Sequence, residues 1–320
     1  SGNVAVGYNS LQANTTGAAN VAVGNYALDA TTTVSDLTAV GYSTLSANTS
    51  GIGNAAFGSS ALTANTTGSY NTGIGRIALD ASTTGDSNTA VGYTCLGANT
   101  TGQYNTAVGS AALGSNTTAD YNTAIGRNAL LVNTTGAENV AVGRHALDAN
   151  TTASYNVGVG SNALTATTTG TRNTAVGTDI MVTNTTGGYN VAMGMNALYA
   201  NTTASYNVAI GYAALTANTT GAENIAIGYA TGDSITTGGK NTLIGSTAGG
   251  AITTASDNTA LGADSLKANT TGTSNVAIGK GAYQGTTGSQ NTVVGTSAMD
   301  ATNTGDNNTA IGRYALLVNT

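Results

Sequence analysis

The sequence predicts an all-β fold, a parallel β-solenoid with 17 residues per coil. Three observations carry this expectation. Asparagine returns every 17 residues along most of the chain, from Asn3 and Asn20 through Asn54, Asn156 and Asn224. Glycine recurs inside every unit, where a helix would lose about 1 kcal/mol per residue relative to alanine. Each unit also opens on a short run, typically N-T-A-V-G, with the alternation of a strand.

The repeat comes first, because it sets the whole architecture. Nineteen units fill residues 1–320, with Leu37 standing in for the asparagine of the third and one step of 16 leading to Asn291. No linker or change of composition interrupts them, so residues 1–320 form a single continuous array. The sequence starts at the edge of one unit, at Ser1, and stops inside another, at Thr320, with no polar capping repeat. The expectation is a segment of a longer fibre, or a protomer stacked end to end.

Within the unit N-T-A-V-G-x-x-A-L-x-A-N-T-T-G-x-x, the fourth residue is apolar in every copy, from Val6 through Phe57 and Met193 to Ile311. The fifth is glycine from Gly7 to Gly312, supplying a positive-φ corner. The ninth is Leu or Met in most copies, such as Leu28, Leu130, Met181 and Leu215; it lapses at Gly232 and Gly249 and becomes Tyr283 in the shortened unit. The fourth and ninth positions are expected to form two apolar stripes inside the coils. The opposite strand face, with Ala5, Ala22, Ala107, Ala192 and Ala310, is small and apolar. A strand apolar on both faces is normally covered on both, so this Ala/Gly face is expected to pack against identical chains near a common axis. A second β-capable run is expected around A-L-x-A-N-T. Stacking at about 4.8 Å per coil would turn the Asn and Thr columns into hydrogen-bonded ladders and make a rod of roughly 90 Å.

The runs Asn139-Val-Ala-Val-Gly143, Asn207-Val-Ala-Ile-Gly211 and Asn275-Val-Ala-Ile-Gly279 resemble the head repeats of YadA-like trimeric autotransporter adhesins, and N-T-A-I-G-x-x-A-L units resemble repeat shafts of phage tail fibres. The resemblance covers all nineteen units. It implies a left-handed parallel β-roll, with three chains wound about one axis. The unit here is longer than the family's, so the Asn-Thr-Thr-Gly segment is expected to enlarge a corner. The family's stalk heptads, neck and membrane anchor are not found in these residues.

Composition removes several classes. Only eight Lys plus Arg stand against fourteen Asp plus Glu, leaving no basic surface for nucleic acid. No proline and no every-third-residue glycine are present, which excludes collagen. No apolar run approaches the ~20 residues of a membrane span. One cysteine forms no internal disulfide.

The candidates for chemistry are few. His145 is the only histidine and is read as a surface residue, since a triad or a multi-histidine metal site needs partners. Cys95 stands where most units have alanine and is read as a small buried thiol. Asp29, Asp80, Asp148, Asp233 and Asp300 share the tenth position but lie coils apart, too far for paired-acid chemistry. Gly158-Val159-Gly160 is read as solenoid corners rather than a dinucleotide fingerprint. Tyrosines recur at the last position (Tyr70, Tyr104, Tyr121, Tyr155, Tyr189, Tyr206) and at the sixth (Tyr8, Tyr42, Tyr93, Tyr212, Tyr229), either as corner packing or as a contact surface. Asn14, Asn99 and Asn201 head Asn-Thr-Thr sequons. No catalytic, cofactor-binding or metal-binding residue is assigned, no cofactor is implied, and an enzyme is not expected.

The expected function is a structural and adhesive fibre segment on a phage tail or bacterial surface, giving reach, rigidity and multivalent attachment. Its expected partners are its own copies, as a homotrimer that can extend end to end into a filament, and a host-surface glycan or protein. The expected location is extracellular. The alternatives are an ice-binding solenoid, disfavoured because adjacent threonines point to opposite sides, and a polysaccharide-processing solenoid.

Overall fold

The computed structural model describes residues 2–300 and 304–317. Ser1 and Thr320, on which the expectations about the chain ends rest, lie outside the described residues. The coils fall into two compact units, residues 1–156 and 157–320. The first holds nine three-residue strands, from β1 (Val4–Val6) to β9 (Val140–Val142). The second holds ten, from β10 (Val157–Val159) to β19 (Thr309–Ile311). Within each unit, successive strands pair in parallel at matching repeat positions, as in Thr89↔Thr106 and Ala192↔Ala209. The parallel β-solenoid expected from the repeat is therefore observed.

Backbone hydrogen bonds tie each coil to the next well beyond the strand. Ala55 N donates to Asn71 O at 2.9 Å, Leu62 N to Ala78 O at 3.0 Å, and Thr66 N to Thr83 O at 2.9 Å. The fifth-position glycine allows the close approach. At Gly58, φ is 127° and a Cβ would lie 2.5 Å from the Gly75 carbonyl oxygen.

Two expectations about the strand are overturned. The third residue, alanine, faces the interior and is fully buried, as at Ala22, Ala107 and Ala192. The fourth faces outward, and Phe57, Ile74 and Met193 are exposed there. The alternation was legible, but its sense is reversed. The cause is the ninth-position leucine, which fills the centre of the thin coil, as at Leu62 and Leu113. A Cβ at Gly73, the third residue of its unit, would already sit 3.3 Å from Leu62 Cγ. Valine or isoleucine there would overpack the core, so the strand contributes alanine. The Ala/Gly face therefore packs inside its own chain, not against neighbours.

The exceptions obey the same rule. Where leucine lapses at Gly232 and Gly249, the third position grows to Leu243 and the twelfth becomes Ile235 and Ile252, all fully buried. A Cβ on Gly232 would lie 2.9 Å from Leu243 Cδ1 and 3.1 Å from Ile235 Cδ1. The missing side chain is thus replaced from two other directions.

The second expected strand does not form. Residues around A-L-x-A-N-T make consecutive turns, with the seventh and ninth residues left-handed, as at Ser60 (φ 58°) and Leu62 (φ 51°). The chain bends twice there, which breaks alternation and sends both the eighth and ninth side chains inward.

Both asparagine columns are buried ladders. At the first position, Asn71 N donates to Asn54 Oδ1 at 2.8 Å, and Asn71 Nδ2 donates to Gly85 O at 2.7 Å. At the twelfth, Asn65 Nδ2 donates to Asn48 Oδ1 at 2.9 Å and to Gly68 O at 2.9 Å. In most of the described coils the first threonine of the pair uses its hydroxyl in the same way, as with Thr66 Oγ1 donating to Thr83 O at 3.0 Å. These bonds satisfy most of the polar groups that a core would otherwise leave costly, though Asn65 Oδ1, Asn150 Oδ1 and Asn218 Oδ1 are buried and accept no hydrogen bond.

Candidate functional site

Because the core takes the first, third, eighth, ninth and twelfth side chains, the rest of each coil is what a partner can touch. The most uniform part is the outer strand face. Its second position carries Thr, Val, Ala or Ile in every coil, and its fourth carries Val, Ile, Leu, Met or Phe. Neither position holds a charge anywhere in the chain. Charges sit instead at the corners, for example Arg76 and Arg127 at the sixth position and Glu138 and Asp257 at the last. The outer face is therefore a charge-free band, apolar along the fourth position and carrying mostly Thr or Val along the second, repeated coil by coil within each unit.

This face was missed because alternation alone does not say which side is inside. A signal was present. The third position is nearly uniform in size, whereas the fourth tolerates Val6, Phe57, Met193 and Leu261 alike. A close-packed core does not tolerate such variation in volume.

Tyrosine lines the corners on both sides of this band. Tyr104 stacks on Tyr121 with centroids 5.0 Å apart, Tyr189 on Tyr206 at 5.1 Å, and Tyr212 on Tyr229 at 5.4 Å. These rings pack on one another and remain exposed. Corner packing and a contact surface thus coexist in the same side chains.

The other candidates separate cleanly. His145 is partly buried, with Nδ1 2.9 Å from Asp148 Oδ2. Cys95 is buried, its thiol donating to Ala107 O at 3.1 Å, and desolvation pushes its pKa up to about 12. Burial also raises the carboxyls of Asp29, Asp80 and Asp233. Asp80 lies in a shallow hollow of about 400 Å³ with Ile77 and Leu131. The adjacent coils carry Thr63 and Gly97 at its position, so it has no acidic neighbour in its column. Asp300 is exposed. Gly160 is a positive-φ corner, but Gly158 lies in β10 as an inward strand residue. Asn99 and Asn201 are fully buried, and each donates from Nδ2 to a carbonyl, Gly102 O at 3.0 Å and Ala204 O at 3.1 Å. In the folded coil these two sequons present no free amide. Asn14 is half-buried and donates to Gly17 O at 3.1 Å.

Among the described residues, no group of three or more His, Cys, Asp or Glu side chains is placed to hold a metal ion. No helix among them is long and apolar enough to cross a membrane. Neither a family model nor a curated protein sequence matches the chain.

Proposed function

We propose that this chain is a structural and adhesive fibre segment, assembled as a parallel homotrimer and displayed outside the cell on a bacterial surface or phage tail. The observation that carries this reading is the outer strand face. Val108, Ile125 and Val142 continue one apolar column at the fourth position, with no charge in it. Such a band on a soluble chain calls for a partner, and charge depletion is the compositional mark of an interface core. A second copy offers the same band at the same spacing. The resemblance of the N-V-A-I-G runs to trimeric adhesin heads supports three chains rather than two.

The role proposed is mechanical and multivalent, not catalytic. The buried-shifted carboxyls Asp29, Asp80 and Asp233 each lack an acidic neighbour in the adjoining coils of their column. Paired-acid hydrolysis requires two carboxyls within ~10 Å.

Sedimentation equilibrium tests the assembly. The expected result is a trimer at micromolar concentration that dissociates in the Val108→Asp/Ile125→Asp variant. A monomer at that concentration would sink the proposal.

One observation favours a second reading. From β5 (Thr72–Ile74) to β8 (Thr123–Ile125), the outer face shows a rank of four threonines one residue away from a rank of Ile and Val. An ice-binding face wants two outward threonine ranks separated by one residue; here one of the two outward ranks is threonine, which the adjacent Thr pair did not reveal, and the other is Ile or Val. Thermal hysteresis from a monomeric sample would favour this reading over the fibre.

A further inference from the structure

The last-position corner holds one constellation twice. In the first unit, Tyr104, Tyr121 and Glu138 occupy successive coils; in the second, Tyr189, Tyr206 and Glu223 do the same. The backbone is equivalent at all the ring and acid positions that matter, with φ of 60° at Tyr121, 58° at Glu138, 63° at Tyr206 and 60° at Glu223. The side chains therefore leave the coil in the same direction, one above another.

Each tyrosine pair is stacked, with interplanar angles of 4° and 14°. The second ring of each pair is the more open one: Tyr121 is 58% exposed against 50% for Tyr104, and Tyr206 59% against 46% for Tyr189. The next coil in each case carries a glutamate, which is shorter than tyrosine, so the outer part of the ring face is left uncovered. At the first cluster, Tyr121, Glu138 and Val140 line an open hollow of about 390 Å³. Ile225 stands where Val140 does at the second, by the same strand register. The ion pairs among the described residues are His145–Asp148 and Lys267–Asp264, so neither glutamate is in an ion pair, although Lys240 takes this corner position in the coil after Glu223.

We infer that these two clusters are glycan subsites, each taking one neutral pyranose ring of a surface polysaccharide. An aromatic face, an apolar floor and one unpaired carboxylate are a small set of convergent groups of the kind that fixes a ligand's orientation. The C–H face of the sugar lies on Tyr121 or Tyr206. Two vicinal hydroxyls donate to the carboxylate of Glu138 or Glu223, which only accepts. A net charge of −6 and the carboxylate itself disfavour uronic acids and sialic acids. A cationic sugar is disfavoured at the second cluster, where Arg172 already lies 5.4 Å from the Tyr189 ring centroid and donates to Tyr189 Oη at 3.1 Å. Two subsites per chain give weak single contacts that multiply with copy number; this rests on the adhesive part of the function proposed above.

The test uses the full chain and a panel of methyl glycosides: glucose, galactose and mannose as the neutral arm, glucosamine as the cationic arm, glucuronate as the anionic arm. Saturation-transfer NMR is expected to show transfer to the ring C–H protons of at least one neutral glycoside. Tyr121→Ala/Tyr206→Ala should weaken binding by about tenfold or more, as removal of an aromatic platform does. Tyr121→Phe/Tyr206→Phe keeps the ring face and should keep binding, whereas Glu138→Gln/Glu223→Gln should weaken it. Tyr121→Ala alone should halve the number of sites. The inference is overturned if no neutral glycoside binds, if only the amino or uronic glycoside binds, or if the alanine variant binds as before. Sedimentation of the same samples separates the two proposals. A trimer without binding removes the subsites alone, and a binding monomer removes the trimer alone.

Discussion

The ninth-position leucines sit in the left-handed region, at φ of 51° for Leu62, 50° for Leu113 and 56° for Leu164. That conformation costs a non-glycine residue roughly 1–2 kcal/mol. Gly232 and Gly249 adopt it too, at 58° and 62°, so the angle belongs to the coil and not to the residue. Full burial of a leucine side chain contributes about 1.5–3 kcal/mol, which offsets the strain. Tyr283 solves a harder problem, because its coil is one residue short. Its ring fills the leucine space, and its hydroxyl donates to Gly288 O at 3.0 Å, the kind of carbonyl that a twelfth-position asparagine normally serves. Asn291 Nδ2 donates to the same hydroxyl at 3.0 Å. Asn275 Nδ2 also donates to Gly288 O at 2.9 Å and Asn291 Nδ2 to Asn275 Oδ1 at 3.0 Å, so Tyr283→Phe removes buried hydrogen bonds without orphaning either partner and is expected to destabilise by about 0.5–1.5 kcal/mol. Urea denaturation checks this, and a midpoint equal to the parent's would show that the hydroxyl replaces nothing.

At the scale of the coil, the inward third and ninth positions share one volume. Leu243→Ala should cost about 2–5 kcal/mol as a core cavity, because both Gly232 and Gly249 leave that space to it. Gly232→Leu alone should also destabilise, since its Cβ would already lie 2.9 Å from Leu243 Cδ1. Combined, the two should partly rescue each other, with a coupling energy of about 1 kcal/mol or more. Additive effects in a double-mutant cycle would refute the shared volume. The strand itself was legible as N-T-A-V-G, but its orientation was not, because period-two alternation is unchanged when the two faces are exchanged. The turn after it was less legible still, since A-L-x-A-N-T has a strand-like composition while Leu62 and its counterparts have left-handed backbone angles.

Over the whole molecule the sparse charge lies at corners, and part of it is half-sunk. Asp29, Asp80 and Asp233 have carboxyls raised above 3.8 by desolvation. Between those raised values and 3.8 the folded chain binds more protons than the unfolded one, so stability falls as pH rises through that window. Acidification from pH 7 toward 4 is thus expected to hold or raise the melting temperature. Asp264 acts in the opposite sense: hydrogen bonds from Lys267 and Thr247 lower its carboxyl, so its contribution is lost only as pH falls below 3.8. The Asp29→Asn/Asp80→Asn/Asp233→Asn variant should flatten the profile between pH 7 and 4. A parent melting temperature that drops steadily over that interval, with the variant following it, would contradict the assignment. The lateral association proposed for the charge-free outer band would rest on apolar contacts and should depend weakly on salt.

The sequence by itself determined the period, the coil as the unit of structure, the hydrogen-bonded asparagine ladders and the sparse chemistry of His145 and Cys95. These follow from recurrence, since identical positions stacked at one spacing must meet their own kind. The tertiary structure alone decided which strand face is core. That choice depends on how much room Leu62 and its counterparts leave in a thin coil, a matter of volume that no alternation pattern encodes. It moved the candidate interface from the alanines to the fourth rank, and it placed each Tyr–Tyr–Glu column on a single corner.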